Sequence, residues 1–151
     1  MKETIILQTQ SINIGYHNKK VSSLVAKAVS IALKKGKLTA LIGANGIGKS
    51  TLLKTITGIQ TPIMGDVLLH GKNIANYSAS DLSQEMSLVL TEKLPPSNLT
   101  VYELVALGRQ PYTNWIGTLT EEDKIQVERA LSLTQISHLA DKKHYQISDG
   151  Q

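Results

Sequence analysis

The chain has no cysteine among its 151 residues, which excludes disulfides and thiolate metal sites and fits a reducing compartment. No apolar run approaches the ~20 residues that a bilayer crossing takes. The opening stretch, MKETIILQTQ, carries an acidic residue and lacks the long apolar segment of a signal peptide. Residence in the cytoplasm is therefore expected. Polar low-complexity tracts are also absent, and with 41% hydrophobic and 19% charged residues a disordered or fibrous chain is disfavoured. His17, His70, His138 and His144 show no close metal-ligand spacing. The net charge of +4 comes from lysines scattered along the chain, with short pairs at 19–20, 34–35 and 142–143. Such pairs read as solvated surface, so no nucleic-acid partner is expected.

The length suits one main domain with a subdomain. Ile12, Ile14 and Tyr16 stand two apart, the period of a strand that projects them from one face. Val29, Ile31 and Leu33 repeat it after a polar turn. The apolar run Leu38 to Ile42 reads as a strand buried on both faces. The period then changes, with Leu52, Leu53 and Ile56 on one helical face and Gly58 as the C-terminal stop. DVLLHG and MSLVL read as two further short strands, separated by a short helix capped by Ser80 and ending at Glu85. After LPPSN, a Thr100–Glu103 capping box opens the helix VYELVAL, which stops at Gly108. Thr120, followed by Glu121, Glu122 and Asp123, opens another that runs to about Thr134. The expected fold class is α/β: antiparallel N-terminal strands and a mixed core over 1–97, then an α-helical subdomain over 98–151.

Between the expected strand and helix lies GANGIGKS, Gly43 to Ser50, which fits the phosphate-loop pattern GxxxxGK[ST] at every fixed position. Glycines at 43, 46 and 48 let the backbone curl so that N–H groups from about Asn45 to Thr51 point at phosphate oxygens. The helix N-terminus adds partial positive charge. Lys49 would place a point charge on the β- and γ-phosphates, and the Ser50 hydroxyl would ligate Mg²⁺. A base-reading NKxD is missing, since residues 18–21 read NKKV. ATP is therefore favoured over GTP. A metabolite kinase with the same loop, or a non-catalytic ATP-binding module, would share this signal.

Beyond the loop, the chain resembles the ATP-binding subunits of ABC transporters from about Ser11 to Gln151. LIGANGIGKSTLLKTITGIQTPIMGDVLLHGKNI is similar to that family's Walker A segment with its helix and following strand. LPPSNLTVYELVALGRQPYTNWIG is similar to importers of ferric siderophores, haem and cobalamin, and the closing ISDGQ resembles the LSGGQ signature. The resemblance implies a P-loop NTPase fold, ATP and Mg²⁺ as ligands, and Tyr16 stacked on adenine. It also implies that Ser148 and Gly150 contact a γ-phosphate held by a second copy, in a head-to-tail dimer with two ATP molecules between the copies. Integral membrane permease subunits, and through them a periplasmic or lipoprotein substrate-binding protein, are the further partners that it implies, with the chain peripheral on the inner face of the membrane.

There are departures from the family pattern. Ile147 replaces leucine and Asp149 replaces glycine in the signature. Where the family places a glutamine that contacts Mg²⁺ and the attacking water, this chain has Thr91 followed by Glu92; a hydroxyl could bond water and a carboxylate could ligate Mg²⁺, but neither reproduces an amide. No run of four apolar residues leads into Asp-Glu after the phosphate loop. ISDGQ is accordingly expected to be a cut, with the C-terminal part of the domain missing and hydrolysis weak or absent in this piece. Apolar edges left uncovered are a further expectation.

Overall fold

A computed structural model describes residues 4–18, 21–89, 97–114 and 116–148. Contacts divide the chain into two compact units, Met1–Leu88 and Val89–Gln151.

The first unit is organised by one long strand, β1 (Ile5–Asn18). It pairs antiparallel with β2 (Val21–Val29), β3 (Ala32–Lys34) and β4 (Met64–Leu69), and β4 pairs in turn with β5 (Lys72–Asn73). The sheet order is β2-β1-β4-β5, with β3 also on β1. The strand period holds at Ile12 and Ile14, both buried. The register with β2 shifts between Ile14 and Gly15, where Val25 is the extra residue on β2, so the alternation along β1 is unchanged. Tyr16, two residues further along β1, stands 56% exposed and is not part of the core that holds the two isoleucines.

Helix α1 (Lys49–Ile56) lies on this sheet through Leu52 and Ile56, which join Leu7, Ile12, Ile14, Val67, Leu69 and Ile74 in one core. Its inward face is Thr51, Leu52, Thr55 and Ile56. Leu53, expected on that face, is on the outer side, since positions 52 and 56 already fill the contact. The buried Thr55 satisfies its hydroxyl on the Thr51 carbonyl at 2.8 Å. Helix α2 (Ala79–Glu85) is capped by Ser78, which accepts from the Asp81 N–H, and not by Ser80. The cap must lie outside the helix so that its oxygen reaches the N3 amide.

Two expected strands do not form. Residues 38–44 make no β-ladder, and Leu38 and Ile42 are 101% and 89% exposed. A strand apolar on both faces is stable only where neighbours pair with both edges and other layers cover it. Among the described residues nothing pairs with this run. Residues 86–89 likewise form no strand, and Val89 is exposed; Leu90 lies outside the described residues. The expected uncovered apolar surface is thus present at Leu38, Leu41, Ile42 and Val89.

The second unit is helical. Helix α3 (Val101–Ala106) tightens into a 3-10 segment over Leu107–Tyr112, and α4 (Glu121–Leu133) follows. The α-helix ends at Ala106 with Leu107 as its C-cap, next to Gly108 as expected, and the chain continues as the 3-10 segment. Val101, Val127, Leu131 and Leu139 make the core. A strap holds the entry to α3: Val101 and Tyr102 donate to the carbonyls of Lys142 and Ala140, both at 2.9 Å, and His144 donates to that of Leu99 at 3.1 Å.

Candidate functional site

The phosphate-loop sequence folds as a turn that delivers the chain into α1. Ile47 N–H closes on the Ala44 carbonyl at 3.4 Å, and the first intrahelical bond runs from Leu52 N–H to the Gly48 carbonyl at 2.9 Å. The amides of Lys49, Ser50 and Thr51 therefore precede the helical ladder and face outward along its axis. Gly48 is the N-cap residue, with φ 104° and no side chain to close the helix end. A Cβ there would sit 2.3 Å from Val25 Cγ1, so strand β2 packs directly behind the loop backbone. Gly46 also has positive φ, 81°. The first turn of α1 holds no acidic residue.

Lys49 folds back over the loop, its Nζ donating to the carbonyls of Gly43 at 2.7 Å and Ala44 at 2.8 Å. Gly43, Asn45, Gly46, Gly48, Lys49, Ser50 and Thr51 are thereby gathered within one turn and the helix that it opens. Ser50 is exposed and Thr51 is buried. Tyr16 reaches the same place from the sheet, its hydroxyl 3.2 Å from Thr51 Oγ1.

Amides that precede the helical ladder, one ammonium and a neighbouring hydroxyl are donor types that an anion such as a polyphosphate takes. Among the described residues no cluster of three or more His, Asp or Glu could hold a metal by itself. A cation here would depend on Ser50 together with the oxygens of a bound phosphate. A cavity of about 660 Å³ opens in the same unit, lined by Ile59, Pro62, Ile74, Leu82 and Met86 among others. It lies at the opposite end of α1, about 12 Å along the helix axis, and its apolar wall is no match for a phosphate.

Ser148 is exposed in the second unit. Gly150, Thr91 and Glu92 lie outside the described residues. Two residues that sequence reasoning missed also support the site. Val25 backs Gly48, and Gln60 donates from its side chain to the Gly15 carbonyl, next to Tyr16. Neither has a local signal, because each acts on a residue more than twenty positions away.

A GxxxxGK[ST] loop that opens a helix is the signature of the P-loop nucleotide-binding class. Within it, the ABC transporter family profile matches residues 26–151, and the chain belongs to that family. It is 37% identical to the iron(3+)-hydroxamate import ATP-binding protein FhuC of Bacillus subtilis, over 96% of this chain and 52% of FhuC. It is 35% identical to the ferric enterobactin transport ATP-binding protein FepC of Escherichia coli, over 96% of this chain and 52% of FepC. Among solved structures, a nucleotide-free ATP-binding cassette from an ABC transporter superposes with a TM-score of 0.77 at 31% identity, covering 98% of this chain and 61% of the cassette. The chain spans about half the length of the curated relatives it matches. Among the described residues no helix is long and apolar enough to cross a membrane.

Proposed function

We propose that this chain supplies the nucleotide-binding part of an ATP-hydrolysing subunit that powers an ABC importer, with iron(III) siderophore, haem or cobalamin as the cargo class. The observation that carries the reading is the open N-terminus of α1, with its uncapped first-turn amides and the Lys49 ammonium beside them. The names of FhuC and FepC support the iron(III)-siderophore member of that class.

In this reading Lys49 exchanges two neutral carbonyls for the β- and γ-phosphate oxygens. The phosphate oxygens carry negative charge and the carbonyls do not, so the exchange adds charge–charge attraction to the ammonium. The amides of residues 45–51 orient the phosphates, and the Ser50 hydroxyl is the protein ligand to Mg²⁺. Ser50 would hold a bound Mg²⁺, which would supply positive charge to the phosphate oxygens. Tyr16 offers its exposed ring as a flat face for adenine. Ser148 and Gly150 of one copy would meet the γ-phosphate held by Lys49 of another, in a head-to-tail pair. The helical region 98–151 would face a membrane permease, which places the subunit on the cytoplasmic side of the membrane and links it through the permease to a substrate-binding protein. Thr91 and Glu92 stand as candidates for the contact to Mg²⁺ and water that the family assigns to glutamine.

Calorimetric titration of the 151-residue chain with Mg-ATP tests the central step. Lys49→Ala is expected to weaken binding by at least about a hundredfold, the scale of a charge-assisted contact made several times over, with an unchanged circular dichroism spectrum. Undiminished binding in Lys49→Ala would remove the phosphate-loop reading. Uptake of labelled ferric siderophore, haem and cobalamin by cells lacking the gene tests the cargo class separately: unimpaired uptake of all three would exclude that class.

A further inference from the structure

Tyr16 is held from three directions. It pairs with Ser23 across β1 and β2. The carbonyl of its neighbour Gly15 accepts from Gln60, whose own N–H donates at 3.0 Å to the carbonyl of Lys54 in the last turn of α1. Its hydroxyl meets Thr51 Oγ1 at 3.2 Å, in the first turn of the same helix. Both ends of α1 are therefore connected to β1 at Gly15 and Tyr16, while Tyr16 remains more than half exposed. Thr51 is buried, and it lies two positions from Lys49 on the helix that carries the phosphate-binding amides.

An aromatic face alone would be served equally by phenylalanine or tryptophan. The hydroxyl adds a link of fixed length from the ring to the helix turn where the phosphates would sit. We propose that the Tyr16–Thr51 hydrogen bond is a strut that sets the distance between the base-stacking face and the phosphate cradle, so that the site selects a nucleoside triphosphate over a bare triphosphate. The proposal rests on the nucleotide reading above and assigns the selectivity within that site to the Tyr16 hydroxyl. Pre-setting this distance lowers the ordering cost of binding a two-part ligand, and it contributes nothing to a ligand that has no base.

The test is a double-mutant cycle on the 151-residue chain, with Tyr16→Phe, Thr51→Val and the pair. Each protein is titrated with Mg-ATP and with magnesium tripolyphosphate, and the quantity read is the ratio of the two affinities. Each single change is expected to lower the ratio about fivefold, the scale of one neutral hydrogen bond, and the double change is expected to lower it no further. If Thr51→Val does not fold, the Tyr16→Phe ratio still decides the matter. A ratio unchanged in Tyr16→Phe, including the case where both ligands weaken equally, would show that the bond only props the helix and would overturn the proposal. Single effects that multiply in the double change would also overturn it, because they would come from two unconnected groups. Equal wild-type affinity for the two ligands would overturn the strut while leaving the phosphate reading intact. Failure of the folded wild type to bind either ligand would remove the phosphate reading, and the strut with it.

Discussion

Helices α1 and α4 begin in opposite ways. The N-terminus of α4 is closed by its own residues: Thr120 Oγ1 accepts from the Asp123 N–H at 3.2 Å, and Asp123 Oδ2 accepts from the Thr120 N–H at 2.9 Å and its hydroxyl at 2.7 Å. Glu121 and Glu122 add negative charge at the same turn. Helix α3 repeats the device with Thr100 and Glu103, at 3.1 and 2.7 Å. At α1 a glycine occupies the cap position and the first turn carries a lysine and no acid. Helix ends need an acceptor for their leading amides. Where the chain supplies one, the helix is structural, and where it withholds one the end is available to an anion from outside.

The strongest way to break this contrast is to disturb the open end. Gly48→Ala places a methyl group against Val25 and forces a side chain into φ 104°. Left-handed strain of about 1–2 kcal/mol and overpacking of about 1–3 kcal/mol act together on the loop. The expected outcome is a loss of Mg-ATP affinity of about a hundredfold by calorimetry, with the helical unit unaffected. Affinity within a factor of three of wild type would mean that the backbone at Gly48 has no part in binding.

The converse change is made at the closed end. Thr120→Ala removes a cap and should lower the urea stability of the helical unit by about 1 kcal/mol, with Mg-ATP affinity unmoved. A matched loss of ATP affinity would contradict the division between open and closed helix ends.

Acid should act on the same closed ends, with a smaller and graded effect. The Thr120 hydroxyl, then the Thr120 N–H and Arg109, hold the Asp123 carboxyl below the usual aspartate range. Arg109 Nε is 2.9 Å from Asp123 Oδ1 and stacks over Tyr112 at 4.0 Å. The Thr100 N–H and hydroxyl lower Glu103 in the same sense. A depressed folded pKa means that the stabilisation is complete above the unfolded value, roughly 4. It is lost as pH falls through the lower folded value. Far-ultraviolet melts between pH 6 and pH 2 should show helix loss only at the acid end of that range, and Asp123→Asn should flatten the profile.

Much of this was legible in the sequence because it is local. The capping box at Thr100, the acidic start after Thr120 and the run GANGIGKS declare themselves within four to eight residues, and the structure forms the turns and helices that they imply. Position-specific errors arose where the outcome depended on distant partners. Leu38 to Ile42 has the composition of a buried strand, but apolarity reports only that neighbours are wanted, and none pairs with it among the described residues. Tyr16 keeps the period of Ile12 and Ile14 but lies beyond the residues that make the core, and where a core stops covering a strand is not written in the strand itself. The link from Gln60 to Gly15 spans 45 positions and leaves no local trace.

The helix C-termini supply the smallest test of the comparison. Here α1 and α4 solve the same problem with different residues. Gly58 follows α1 at φ 77°, and Gln135 follows α4 at φ 59°. After α4 the Gln135 and Ile136 amides donate to the carbonyls of Ser132 at 3.0 Å and Leu131 at 2.9 Å. Ile136 folds back on the core that contains Leu131, the hydrophobic contact that accompanies this type of helix stop. The bonds and the contact are in place, so only the backbone strain of a side chain in the left-handed region remains to be relieved. Gln135→Gly recovers about 1–2 kcal/mol of that strain and gives back about 0.5–1 kcal/mol through the greater freedom of glycine in the unfolded chain. The two nearly cancel, with strain relief the larger, and the helical unit should melt about 2–4 °C higher. A lower melting temperature in Gln135→Gly would mean that the glutamine side chain itself stabilises the stop, and that the two helices end by different physics as well as with different residues.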